Sequence, residues 1–383
     1  MMKVLFISND PTIFDATSSA RARMRAYAAL MGELHIVSSA GPDAREEQDG
    51  NLFLHPVHTW KIFRVRALAL RAHALILKEG IEVVSAQDPF EHGLSALRAV
   101  HGTKAKLHIQ VHTDFLSPWF VRSGNWRSPR VRMPLLNRWR RRIADEVLPR
   151  ADGIRVVSER VKASLIARYG SLIPEPSVIP VSVDSVVPEP IRLPAQAGLP
   201  EHTFTFSLIS VGRLELEKRI EDILAALALV AKQYPMVGLF IVGSGSERGR
   251  LERMARHLGL EDKVIFLGDR SDARALMASA NAFIQASAYE GYGRTLIEAA
   301  LAKIPIITTD VGIVGEVFKR YEDVLSVPVA DPTALSLAIV GLIEDTRVRL
   351  ELPARAEEAA RTHLASVGDI PARIAEDIAR LAR

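Results

Sequence analysis

Short β-rich runs alternate with helical segments through the first half of the chain, stop at a proline-rich stretch, and then start again. In the first series KVLFIS (3–8), ELHIVSS (33–39), IEVVSAQ (81–87), KLHIQVH (106–112) and GIRVVS (153–158) read as strands. Between them lie RARMRAYAALMG, an Arg/Ala/Leu-rich segment from Phe63 to Lys78, and LSALRAV, which read as helices. Strands that alternate with helices imply a parallel sheet. The second series has FTFSLISVG, VGLFIVG, KVIFLG, AFIQAS and PIITTD as strands. Its helices are expected from Ile220 to Gln233, over 247–260, from Arg274 to Ala280, over 294–302 and 314–320, and from Pro332 onward.

The fold expected is therefore α/β, with two Rossmann-like doubly wound domains facing across a cleft. The divisions are 1–184 for the first domain, 185–203 for a Pro-rich linker and 204–362 for the second. A helical segment over 363–383 would return to the first domain. Ligands of open α/β sheets bind outside the carboxyl ends of the strands, which makes the cleft the expected site. With no cysteine in 383 residues, disulfides, thiolate metal sites and cysteine nucleophiles are excluded. MMKVLFIS passes straight into polar residues and reads as a first strand rather than a leader. No apolar run reaches the roughly 18 residues of a spanning helix.

Chemistry concentrates in the second half. In YEGYGRTLIEAA, Glu290 and Glu298 are separated by seven intervening residues across a Gly-containing turn and the start of a helix. Gly291 and Gly293 allow close backbone approach, and a helix beginning near Arg294 offers amides and a positive dipole end to phosphate. Upstream, SVGRLELEKRIE places Arg213 after a Gly turn and Lys218 just before a helix. A planar fork of donors and a point charge suit a diphosphate. Gly243 follows another strand in VGSGS, and Gly268 marks the turn of KVIFLGDR.

This ordered series, over about residues 205–330, resembles the family 4 retaining glycosyltransferases of the GT-B fold. By that resemblance, Glu290 contacts hydroxyls of a donor sugar, Glu298 accepts from ribose hydroxyls, and Arg213 and Lys218 clamp the diphosphate. Gly243, Gly268, Gly291, Tyr292, Gly293 and Arg294 line the donor pocket, and His112, at the end of IQVH, serves the reaction centre. The implied activity is metal-independent transfer of a sugar, with retention, from a nucleotide diphosphate donor to a glycan or lipid-linked acceptor, as in envelope polysaccharide assembly. A nucleotide-sugar epimerase and a non-catalytic donor-binding or membrane scaffold are the alternatives. Three positions depart from the family pattern: Arg219 and Ile304 stand where Gly is frequent, and the loop after the first strand has no Gly, leaving Ser18, Ser19 and Arg21 as substitutes.

Between Val121 and Arg150 there are nine Arg and two acidic residues, in or beside which fall Trp119, Trp126, Trp139, Met133, Leu135 and Leu136. The stretch from Arg122 to Arg142 suits an anionic membrane surface, a solvated helix face whose Trp residues are core, or a polyanion. No nucleic-acid-binding signature accompanies it, so nucleic acid is not expected as a partner. The expected location is the cytoplasm, peripheral at the inner face of the membrane.

Overall fold

The computed structural model describes residues 2–8, 10–121, 135–186, 188–193 and 204–382. Part of the expected linker (187 and 194–203) and most of the basic stretch, with Trp126 and Met133, lie outside the described residues. The chain divides into two compact units. One comprises Met1–Leu116, Pro134–Pro180 and Asp369–Arg383; the other comprises Ser117–Met133 and Val181–Gly368.

The first unit is built on an eight-stranded sheet. From one edge its strands are Glu47–Asp49, Leu52–Val57, Glu33–Ser39, Lys3–Ser8, Val83–Ala86, Lys106–Val111, Gly153–Val156 and Ser177–Val178. All neighbours are parallel except the first pair. Val4, Leu5, Phe6 and Ile7 are all buried, because a central parallel strand is covered on both faces and its sequence must be apolar throughout. The hairpin Glu47–Asp49/Leu52–Val57 carries little apolar alternation and was not legible in the sequence. The helix Arg64–Glu79 packs on Glu91–Val100, which in turn packs on Leu135–Val147. Ser19–Met31 packs against the last helix, Ile370–Ala379.

That last helix closes a buried polar chain. Asp377 accepts from Ser177 Oγ (2.6 Å) and lies 3.2 Å from His108 Nε2; His108 Nδ1 meets Ser85 Oγ at 2.8 Å. Gln110 donates to Ser85 Oγ and accepts from Arg155, whose other nitrogens donate to the carbonyls of Ile179 and Pro180. Each buried polar group is thereby satisfied by the next, which is the condition for keeping it in the core.

The second unit has six parallel strands in the order Val264–Gly268, Val237–Val242, Phe206–Val211, Ala282–Gln285, Ile306–Thr309 and Leu325–Val327. The direction of winding reverses between Phe206–Val211 and Ala282–Gln285, and that reversal is where a doubly wound sheet opens a crevice. The helix Ile220–Val230, apolar on nearly every side, is buried between the sheet and Pro332–Glu344.

One expected helix does not form. Residues 314–320 fold as turns closed by isolated bridges, Val314 to Phe318 and Arg320 to Val324. Gly315 sits at φ +84° with its N–H on the carbonyl of Phe318, and a Cβ there would lie 2.5 Å from the Arg320 guanidinium. That guanidinium is held by both oxygens of Asp310 (2.8 and 2.9 Å), so a left-handed glycine and an ion pair override the helical pattern.

Candidate active site

At the reversal point of the second unit the loops after Phe206–Val211 and Ala282–Gln285 are stitched together. Ala288 N–H donates to the carbonyl of Glu217 (2.7 Å), and the Lys218 ammonium is ion-paired with Glu290. Ser287 Oγ donates to the same carboxylate oxygen of Glu290 (2.7 Å) and is itself completely buried. Gly212, Arg213, Lys218, Gln285 and Ser287 line a small pocket there. Arg213 is largely exposed and rests on Glu217 at 3.1 Å. Gln285 Oε1 accepts from Thr295 Oγ1 (2.8 Å), whereas its buried Nε2 meets no partner among the described residues.

Lys218 owes its position to the next residue. Arg219 adopts a left-handed conformation (φ 47°, ψ 42°), the geometry for which Gly is the usual choice, and it caps Ile220–Val230. Its guanidinium is buried, donating to both oxygens of Asp222 (2.6 and 3.0 Å) and lying 5.6 Å over the Trp119 ring. Burial pushes the Asp222 carboxyl up to about 6 in spite of Arg219.

The neighbouring turns meet closely. Gly243 N–H donates to the carbonyl of Gly268 (2.8 Å), and a Cβ at Gly243 would lie 2.0 Å from the Gly212 oxygen at a φ of +129°. Only Gly permits that approach. Glu215 holds the 244–246 turn by accepting from the backbone N–H and hydroxyl of Ser246 (3.0 and 2.7 Å).

After Glu290 the chain enters Arg294–Leu301 through Gly293, which is left-handed at the N-cap. Gly291 and Gly293 are buried; Tyr292 is also buried, and its hydroxyl bonds His363 Nε2 at 2.8 Å while its carbonyl accepts from Ile313. Arg294 reaches Glu298 at 3.1 Å along the exposed edge of the helix. Burial raises the pKa of Glu298, and Arg294 opposes that rise.

The structure thus brings Lys218 and Glu290 together and sets Arg213, Gly243, Gly268, Arg294 and Glu298 on the same unit. His112 belongs to the first unit, after Lys106–Val111. Its buried Nε2 meets no partner among the described residues, and desolvation, reinforced by Arg155, lowers its pKa to about 3, so the ring is neutral. Nearby, His92 Nδ1 is hydrogen-bonded to Asp88, and its buried Nε2 likewise meets no partner among the described residues. Sequence reading missed Ser287, Gln285, Glu215 and the Asp88–His92 pair. AFIQAS ends in polar residues where an apolar strand run stops, and that was the available signal. Ser158 caps Glu159–Tyr169.

Of the substitutes assigned to the Gly-free loop, Arg21 is corrected. Ser18 caps Ser19–Met31 through Arg21 N–H (3.0 Å), and Ser19 begins that helix. The Arg21 side chain is fully buried, bound by Glu47, Asp49 and the carbonyl of Ile13. A guanidinium so enclosed is a structural strut.

The stretch ending at Arg142 is described only from Leu135. There Leu135, Leu136 and Trp139 are exposed, Arg140 pairs with Glu91 (3.0 Å), and Ile143, Ala144 and Val147 are the buried face. No described helix is long and apolar enough to cross a membrane.

Two doubly wound α/β units in tandem constitute the GT-B architecture of glycosyltransferases. Residues 17–186 match the model described as Glycosyltransferase Family 4, and residues 197–363 match that described as Glycosyl transferases group 1. The chain belongs to glycosyltransferase family 4.

It is similar to the glycogen synthase of Mycobacterium tuberculosis H37Rv, at 29% identity over 213 residues, covering 55% of this chain and 48% of that protein. It is also similar to the lipopolysaccharide core biosynthesis glycosyltransferase LpsD of Rhizobium meliloti, at 30% over 168 residues (44% of this chain, 48% of that one). The chain spans about half the length of these curated relatives. Two solved structures share the fold. Sucrose-phosphate synthase from Thermosynechococcus elongatus has a TM-score of 0.77 at 21% identity, covering 100% of this chain and 99% of that one. Anabaena HepE in complex with UDP-glucose has a TM-score of 0.75 at 19% identity, covering 99% and 100%.

Proposed function

We propose that this chain is a retaining glycosyltransferase that moves a sugar from a nucleoside diphosphate donor to a glycan or lipid-linked acceptor. The observation that carries the reading is the Lys218–Glu290 ion pair, buttressed by Ser287, at the reversal point of the second sheet. A cation and a carboxylate that neutralise each other there can both be redeployed by one ligand: the diphosphate takes the ammonium, and the sugar hydroxyls take the carboxylate.

In this scheme Arg213 and Lys218 stabilise the departing diphosphate and Glu298 accepts from the ribose hydroxyls. The turns at Gly243, Gly268, Gly291 and Gly293, with Tyr292 and Arg294, shape the donor pocket, and His112 acts as a neutral imidazole. The bond from the anomeric carbon to the β-phosphate oxygen breaks and a bond to the acceptor oxygen forms. The acceptor hydroxyl gives its proton to the departing phosphate. A covalent glycosyl-enzyme is the other route to retention. Metal independence is part of the proposal, tested by turnover in the presence of EDTA. A lipid-linked acceptor and an anionic membrane at residues 122–142 complete the reading, with the protein peripheral at the cytoplasmic face.

The deciding experiment is thermal stabilisation by uridine, guanosine and adenosine diphosphates and their sugars, comparing wild type with Glu298→Ala. The UDP-glucose complex of HepE puts the uridine series first. Stabilisation by one base, weakened in Glu298→Ala, supports the donor site. The absence of any shift at saturating nucleotide refutes it. Incubating that donor with acceptors then separates transfer from epimerisation by the product formed.

A further inference from the structure

The helix Arg64–Glu79 presents apolar residues to solvent in a pattern that its packing does not require. Its buried face is Leu68, Ala69, Ala72, Leu75 and Ile76, which contact the rest of the first unit. On the opposite side Phe63, Ala67, Leu70, Ala74 and Leu77 follow one another at spacings of four, three, four and three. At roughly 100° per residue they fall within an arc of about 80°. Phe63, Leu70 and Leu77 are 60%, 61% and 67% exposed, and in the turn leading into the helix Trp60 and Ile62 are each 82% exposed. Scattered surface leucines need no explanation, whereas a continuous ribbon of this kind does.

The flanks are cationic. From Trp60 to Glu79 there are five Lys or Arg and one carboxylate. Arg64, Arg71 and Lys78, each seven residues from the next, run along one border of the ribbon; Arg66 and His73 run along the other. Arg71 is turned back onto Glu46, and Lys78 pairs with Glu79 (2.8 Å). Leu135–Val147, packed on the same intervening helix, repeats the composition with Leu135, Leu136 and Trp139 exposed among arginines.

From this geometry we infer that the ribbon from Trp60 to Leu77 docks the first unit on an anionic lipid surface. The ribbon lies along the acyl boundary, and the flanking cations meet acidic headgroups. Three features select this occupant. Trp and Phe at one end with Leu along the helix are the residues that settle at a bilayer interface. The excess of Lys and Arg along the ribbon, five against one carboxylate, attracts an anionic surface and disfavours a second copy of the same ribbon. The small residues Ala67 and Ala74 leave a shallow strip that suits a fluid surface better than the knobs of a partner helix. The inference does not rest on the donor site.

The test is co-sedimentation with phosphatidylcholine vesicles, with and without phosphatidylglycerol, for wild type and for the combined variant Phe63→Gln, Leu70→Gln and Leu77→Gln. All three side chains are exposed, so an unchanged melting temperature confirms an intact fold. The inference predicts binding only to the anionic vesicles, weakened by salt, with the partition coefficient of the variant lower by more than about tenfold. Equal binding of variant and wild type, equal recovery with neutral vesicles, or no recovery with either vesicle would overturn it. A wild-type dimer that the variant converts to monomer would assign the ribbon to a second copy and also overturn it.

Discussion

Replacing Arg219 with Ala tests how the Lys218 loop is held. Two effects enter. A left-handed residue with a Cβ costs about 1–2 kcal/mol in either protein, so the backbone contributes little to the difference. The loss of the guanidinium leaves Asp222, whose side chain has no exposure, as a buried carboxylate without its partner. Removing one member of a buried pair costs about 3–5 kcal/mol.

The pH dependence separates that cost from lost packing. Burial pushes the Asp222 carboxyl up to about 6 in the folded protein, above the ordinary range of an aspartate. A carboxyl with a raised folded-state pKa contributes most below the unfolded value, and its contribution is lost as pH rises through the folded one. Without Arg219 the folded-state pKa rises further, so the penalty grows with pH. If it rises by about two units, the variant loses about 2 kcal/mol more than wild type between pH 5 and pH 8. For a body of this size that is about 4–8 °C in Tm. Thermal melts of wild type, Arg219→Ala, and Arg219→Ala combined with Asp222→Asn, at pH 5 and pH 8, are the assay. The double variant should recover most of the loss at pH 8. An identical loss at both pH values, with no rescue, would refute the reasoning.

Four further outcomes follow from other contacts. Lys218→Ala should lower kcat by about a hundredfold or more, the usual scale for a lost transition-state contact, and leave the melting temperature nearly unchanged; a variant that turns over normally would remove Lys218 from the chemistry. Gly243→Ala should destabilise the second unit by several kcal/mol, since its Cβ would lie 2.0 Å from the Gly212 oxygen in a left-handed backbone; denaturant unfolding gives the value. Asp377 is opposed by burial, yet hydrogen bonds from His108 and Ser177 hold its pKa below the usual carboxylate range. It therefore stabilises above the unfolded carboxyl pKa, and that contribution should fade as pH drops toward the folded value, a dependence that Asp377→Asn flattens in acid-unfolding curves. Tyr292→Phe should cost about 1 kcal/mol by orphaning the His363 ring nitrogen, read from urea midpoints.

The strands that lie inside each sheet were legible because a parallel strand covered on both faces is written in uninterrupted apolar residues, as VLFI (4–7) and FIV (240–242) show. Lys218 and Glu290, far apart in sequence, were named together only through the family resemblance; nothing local in either segment says that their charges meet. The edge hairpin escaped because its outer strand, Glu47–Asp49, is three polar residues long. The helix expected at 314–320 failed because helical spacing cannot report φ at Gly315 or the Arg320–Asp310 pair. Arg21 was misjudged for a related reason: an arginine near a loop looks solvated until the carboxylates of a strand some 30 residues away enclose it. Arg219 was noted in sequence as a departure from Gly, and its left-handed backbone supplies the physical content of that departure.

The polar chain that ends on Asp377 also bears on the order in which the protein can be made. The first unit begins at the start of the chain, but its sheet and its Ser19–Met31 helix await a partner encoded after the whole second unit. At roughly 5–20 residues per second, the segment between Pro180 and Asp369 takes on the order of 10–40 s to emerge from the ribosome. During that interval His108 and Ser177 lack their acceptor, and the face of Ser19–Met31 that meets the last helix is uncovered, while both pieces of the second unit, Ser117–Met133 and Val181–Gly368, are already synthesised. The half synthesised first is thus completed last, and a nascent chain cut short before Asp369 carries an open first unit that chaperones or proteases can recognise.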